Sequence, residues 1–152
     1  MILSAQSIRR RRMVTPFHEQ VRTVWGLSYG LGPAGYDIRV RENLTLWPNE
    51  MILASSIEHV IIPWDILVSV CDKSSWIRKG VSVHNTILDP GFEGYITLEL
   101  VNHTQRPVLL TSGMPTAQLI FNQLDEATES PYKGIYQNQA ARPQQSKMKE
   151  VS

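Results

Sequence analysis

Apolar residues recur at every second position along most of this chain. Tyr36-Asp37-Ile38-Arg39-Val40 alternates, as do Leu44-Thr45-Leu46-Trp47 and Ile66–Cys71. Further runs follow at Tyr95–Asn102, Pro107–Leu110 and Ala117–Gln123. A period of two puts successive side chains on opposite faces of a strand, so each run predicts a half-buried β-strand. Turn-forming residues separate the runs: Pro48-Asn49, Pro63, Gly80, Asp89-Pro90-Gly91 and Ser112-Gly113. Many short strands at such spacing predict an all-β barrel or sandwich of the jelly-roll kind. Helical signals are weak and local. Ser4 before Ala5-Gln6-Ser7-Ile8-Arg9 reads as an N-cap and a short helix. Residues 13–35 hold Pro16, Gly26, Gly30, Gly32, Pro33 and Gly35 and read as loop, with one strand around Val21–Trp25. From Ala140 to the end the chain is polar and aperiodic, so residues 140–152 are expected to form a flexible tail behind a single domain of residues 1–139.

Length and charge narrow the function classes. At 152 residues the chain suits one domain with a real core. A net charge of +1 supplies no global field for nucleic acid, and no nucleic-acid partner is expected. The basic run Arg9–Arg12 reads as a solvated helix end, with an arm for an acidic partner as the sharper alternative. No apolar run approaches the ~20 residues that span a bilayer, and MILSAQSIRRRR lacks the apolar segment of a signal peptide. A lone cysteine, Cys71, rules out an internal disulfide and a cysteine-rich zinc site. These features predict a cytoplasmic protein without a membrane partner.

The densest chemistry lies in Lys73–Leu100, KSSWIRKGVSVHNTILDPGFEGYITLEL. Lys73, Ser74, Ser75 and Arg78 combine hydroxyls and cations suited to phosphate, on a turn that leads into a short helix over Trp76–Lys79. Asp89-Pro90-Gly91 predicts a tight turn that aims Phe92. In the strand that follows, Ile96, Leu98 and Leu100 share one face and Tyr95, Thr97 and Glu99 the other. Glu99 therefore points to solvent, a cleft or a subunit interface, and an ordinary exposed glutamate is the plain alternative. Other routes to catalysis lack their parts. There is no GxxxxGK[ST], no GxGxxG followed by a helix and no HxE with PCxxC, and His18, His59, His84 and His103 have no metal-ligand spacing. No protein-built metal site is expected.

The ordered set MILS, GYDIRV, KSSWIRKG, VHNT, DPGFEGYITLEL, GMPTAQLIF, PYKG and YQNQ resembles the dCTP deaminases, of the trimeric dUTPase superfamily. The resemblance runs from Met1 to about Gln139. It implies a distorted β-barrel or jelly roll of the dUTPase-like type with a short N-terminal helix. It also implies a homotrimer with active sites between subunits, and Mg2+ bound with the triphosphate. In that family a glutamate matching Glu99 shuttles protons to activate water for attack on cytosine C4. Residues matching Ser75 and Arg78 assist it. Lys73 and Ser74 match phosphate-segment positions, Thr86 lies in the base-reading loop, and Asp89 and Phe92 line the deoxyribose. Gln118, Tyr132 and Gln139 match further substrate contacts.

Three positions depart from the family pattern. Lys73 stands where arginine is usual, and Ile135 where a lysine is usual, with Lys133 as a nearby replacement. The segment His84–Asp89 is about two residues short of the usual loop. Three functions remain open on this reading. The first is hydrolytic deamination of dCTP to dUTP, alone or with onward conversion to dUMP. The second is pyrophosphohydrolysis of dUTP or another deoxynucleotide, with Asp89 orienting the water. The third is nucleotide binding without catalysis.

Overall fold

The computed structural model describes residues 1–149. In chain order its elements are α1 (Ala5–Arg11), β1 (Val14–Thr15), β2 (Val21–Arg22), β3 (Ser28–Leu31), β4 (Tyr36–Arg39), β5 (Leu44–Leu46) and β6 (Met51–Ile61). They continue with β7 (Ile66–Asp72), α2 (Ser74–Ile77), β8 (Val81–Val83), β9 (Ile87–Leu88), β10 (Glu93–Asn102), β11 (Val108–Leu110) and β12 (Pro115–Gln123). The expected all-β architecture with a short N-terminal helix is what forms.

A six-stranded sheet runs β2-β3-β4-β12-β7-β9, a four-stranded sheet runs β1-β6-β10-β8, and β11 pairs with β5. All pairings between these strands are antiparallel. Alternation drives the packing. In β7 the residues Ile66, Val68 and Val70 are buried, and in β12 Ala117, Leu119 and Phe121 are. They join Val60, Ile96 and Leu98 of the four-stranded sheet in one contiguous core. Burying such aliphatic faces from both sheets is the main force holding the fold together.

Several local expectations change. The strand anticipated at Val21–Trp25 stops at Arg22, because Gly26, with φ +76°, closes a turn by donating its N–H to the Thr23 carbonyl. α2 starts at Ser74 and ends at Ile77 rather than running to Lys79; Lys73 is its N-cap and supplies no side-chain cap. Ser4 precedes α1 with extended backbone, yet its hydroxyl caps no N–H; its carbonyl accepts from Ser7 and Ile8 instead. The basic run is largely occupied. Arg9 forks onto Glu19 at 2.6 and 2.8 Å, and Arg11 forks onto Asp65 at 2.8 and 2.7 Å. Among the described residues no helix is long and apolar enough to cross a membrane.

The long strand β6 has no counterpart in the predicted set. It pairs with β10 along nearly its whole length, and the register slips between Tyr95↔His59 and Thr97↔Ser55. At that irregularity Ser55, Ser56 and Glu58 are fully buried. Ser56 Oγ donates to the Glu58 carbonyl and accepts the Ile96 N–H, while Glu58 takes the Arg39 guanidinium at 2.7 Å. Each buried polar atom thus has a partner, as burial demands.

Candidate functional site

The outer face of β10 forms one wall of a cavity of ≈ 520 Å³. Thr97 and Glu99 project from that face, which follows from the alternation of β10. The turn before the strand builds a second wall. Phe92 donates its N–H to the Asp89 carbonyl at 3.0 Å, and Gly91 adopts φ +90°. A Cβ on Gly91 would sit 2.7 Å from the Pro131 side chain, so glycine is required by both conformation and space.

The C-terminal segment closes the third side. Tyr132 donates its N–H to Pro90 at 2.8 Å, and its ring lies 5.9 Å from that of Phe92, tilted by 60°. Asn138 donates to Glu93 at 2.8 Å, and Tyr95 donates to Gln139 at 3.0 Å, forming a parallel bridge between Gly94 and Gln139. Thr97 Oγ1 donates to Gln139 Oε1 at 3.2 Å and accepts the Gln144 N–H at 3.2 Å. The segment expected as a polar tail from Ala140 therefore includes Gln144, Gln145 and Ser146 among the lining residues.

Glu99 is half-buried, paired across the ladder with Leu53, and its carbonyl accepts the His84 N–H at 2.9 Å. Burial pushes its carboxyl pKa up. A hydrogen bond to its own backbone N–H and the nearby His84 pull it down less strongly. Partial removal from water disfavours the ionised form, which moves the carboxyl toward the range where it can both take and return a proton. A cavity of this size, largely apolar with a few convergent polar groups, suits a small molecule.

This pocket brings together Thr86, Asp89, Phe92, Glu99, Tyr132 and Gln139. It does not include Lys73, Ser74, Ser75, Arg78, Gln118 or Lys133. Lys73 Nζ is bound to the Asp37 carboxylate, and Gln118 Nε2 donates to the other Asp37 oxygen at 3.2 Å. Ser74, Arg78 and Lys133 are exposed. Ser75 lines a separate cavity of ≈ 910 Å³ with Trp76, Lys79 and Arg106. The candidate residues thus fall into two groups on one chain.

Residues that sequence reasoning passed over complete both groups. Thr97 was within reach, since it shares the Glu99 face. Met51 and Leu53 line the pocket from β6, and Tyr136 from the C-terminal segment. Asp37 stands in β4 opposite Gln118 of β12, a register the chain alone does not reveal. Among the described residues no group of three His, Cys, Asp or Glu side chains is placed to hold a metal ion.

Comparison with known proteins bears on the family and the fold. A family model described as dCTP deaminase-like matches residues 35–124. A dCTP deaminase from Campylobacter hominis is 35% identical over 166 residues, spanning 88% of this chain and 87% of its own length. One from Sulfurovum sp. is 33% identical over 159 residues, spanning 84% and 85%. Among solved structures, the dUTPase of EIAV superposes with a TM-score of 0.55 at 23% identity, covering 66% of this chain and 84% of its own. That of Staphylococcus bacteriophage 80alpha reaches 0.59 at 15% identity, covering 80% and 92%. At such identities the superpositions establish the dUTPase-like fold. The sequence matches go further: this chain belongs to the dCTP deaminase-like family.

Proposed function

We propose that the protein hydrolyses dCTP to dUTP and ammonia, with Glu99 as the proton shuttle. The observation that carries this reading is the position of Glu99. It is half-buried and raised in pKa, within one pocket that also holds Asp89, Phe92, Thr86, Tyr132 and Gln139. A carboxylate alone, without a metal, suffices for this chemistry if it can take and return protons in turn. Glu99 accepts a proton from water as the water oxygen bonds to cytosine C4, and delivers it to N3. The resulting tetrahedral carbon carries a hydroxyl and an amine. Glu99 then moves the hydroxyl proton to the amine, the C4–N4 bond breaks, and ammonia leaves behind the C4 carbonyl and N3–H of uracil. Asp89 and the Phe92–Tyr132 pair bound the space for the deoxyribose, and the short His84–Asp89 segment, through Thr86, approaches the base.

Ser74, Ser75 and Arg78 enter this reading from a neighbouring copy. They lie outside the pocket of their own chain, and the exposed Ser74 hydroxyl and Arg78 guanidinium, with the partly buried Ser75 beside them, suit the triphosphate of an adjacent subunit. The proposed assembly is a homotrimer with its sites between subunits, and there Ser75 and Arg78 would also stabilise charge developing at the base. Mg2+ would arrive with the triphosphate, held by phosphate oxygens and water, in keeping with its reluctance to dehydrate. When bound, the ion would neutralise phosphate charge. A soluble nucleotide substrate and a lone reduced cysteine fit a cytoplasmic enzyme.

The test is a product assay with magnesium and each deoxynucleoside triphosphate in turn. dUTP from dCTP is expected. dUMP from dCTP would add pyrophosphohydrolysis at the same site. Monophosphate from dUTP with dCTP untouched would overturn the deaminase reading and move the chemistry to Asp89. Binding without turnover would leave a nucleotide-binding relative.

A further inference from the structure

Lys73 and Gln118 share a partner, Asp37. Lys73 Nζ meets one oxygen of Asp37 and Gln118 Nε2 meets the other. The Lys73 and Asp37 side chains are only 12% and 15% exposed. Asp37 stands opposite Gln118 in the β4–β12 ladder, and Gln118 stands opposite Cys71 in the β12–β7 ladder. The three strands therefore present Asp37, Gln118 and the end of β7 side by side, and Lys73 follows two residues after Cys71. A second tie lies one turn further on, where Trp76 Nε1 donates to the Pro115 carbonyl at 2.6 Å. α2 is a single turn of four residues, too short to hold its own shape in water. These two ties fix it to the rigid six-stranded sheet.

We infer that Asp37, Lys73 and Gln118 form a clamp that positions the turn bearing Ser74, Ser75 and Arg78, and that Lys73 acts on the triphosphate through this clamp rather than by touching it. The inference rests on the proposed role of that turn in holding phosphate. The lysine itself fits the clamp. A single ammonium satisfies one carboxylate oxygen and leaves the other for the amide, whereas an arginine fork can span both. Removing one partner of a largely buried ion pair leaves the other charge uncompensated, so losing Asp37 drives Lys73 out to water and frees the start of α2. A lysine that bound phosphate directly would behave in the opposite way, since losing Asp37 would release it for its ligand.

A double-mutant cycle separates the two roles. Binding of dCTP with magnesium and of deoxycytidine is measured by calorimetry on Glu99→Gln protein, so that ligand is not consumed. Asp37→Asn and Lys73→Met are each expected to weaken dCTP binding by roughly tenfold. The double variant should be no worse than either single, Lys73→Arg should retain binding within about threefold, and deoxycytidine affinity should not move. Gln118→Met, which leaves the ion pair in place, provides the check if Asp37→Asn folds poorly, and should weaken dCTP binding without affecting the nucleoside. Weakening by Lys73→Met with none from Asp37→Asn or Gln118→Met would overturn the clamp, as would losses that multiply in the double variant. Failure of the parent protein to bind dCTP would remove the underlying functional reading instead.

Discussion

The Glu99 pocket and the Lys73–Arg78 turn sit close together in sequence but are built on opposite principles. The pocket is concave and partly dry. Its walls are a long strand, a glycine-closed turn and a C-terminal segment bridged to Gly94. Such a place can shift a carboxyl pKa and hold a base against a water. The turn is a single helical turn whose Ser74 and Arg78 are exposed and whose Lys73 is held by Asp37. Such a place can offer charge-assisted bonds to a ligand that something else holds. On the proposed function, chemistry and phosphate grip would be divided between two surfaces of one chain, and the proposed homotrimer would bring them face to face.

Breaking the pocket side should have the largest effect. Glu99→Gln should lower kcat for dCTP deamination by at least roughly 10²- to 10⁴-fold, the range of general acid–base catalysis, while dCTP binding measured by calorimetry persists. Activity near the parent level would relocate the proton shuttle. On the turn side, Arg78→Ala removes a charged donor and should weaken triphosphate binding by about 1.5–3 kcal/mol, with deoxycytidine affinity unchanged. Equal losses for both ligands would deny Arg78 its phosphate role.

Smaller effects test how the pocket is walled. Gly94 has φ +147°, and a Cβ there would lie 2.6 Å from the Gln139 nitrogen. Gly94→Ala should therefore cost about 1–2 kcal/mol or more in urea unfolding and raise KM by loosening the C-terminal wall. A neutral result would mean that the Gly94–Gln139 bridge contributes little. The least effect concerns pH. The folded pKa of Glu99 lies above its ordinary value of 4.5 because of burial. Its contribution to stability is present below 4.5 and is lost as the pH rises through the raised value. Glu99→Gln should accordingly raise Tm slightly at pH 7, with the gain over the parent shrinking as the pH falls toward 4. A Tm below the parent at pH 7 would show that ionised Glu99 is favourably paired.

The two regions also differ in how far the sequence disclosed them. β10 was legible because strict alternation follows a proline-glycine turn, and that alternation alone placed Glu99 and Thr97 on one face. β6 was not, because Ala54, Ser55, Ser56 and Glu58 are all buried at a register irregularity, so small and polar residues stand where a strand pattern shows aliphatic ones. β8 and β9 have three and two residues, too few to show a period. Gln144 packs through a backbone hydrogen bond rather than an apolar face, so composition carried no trace of it. On the turn side the residue types were right for phosphate, but nothing local reveals that Lys73 meets Asp37, 36 positions away. Resemblance supplied the roles of Asp89, Tyr132 and Gln139; spacing alone would not have gathered them.

Subunit complementation tests the divided site most directly. Glu99→Gln and Arg78→Ala chains would be unfolded, mixed in equal amounts and refolded together, then assayed at dCTP well below the KM of the Arg78→Ala protein, where each variant alone has little activity. If each site takes Glu99 from one subunit and Arg78 from the next, random trimers restore about a quarter of the parental sites, and deamination should return toward that level. Activity no greater than the average of the two single variants would contradict the account and place the whole site within one chain.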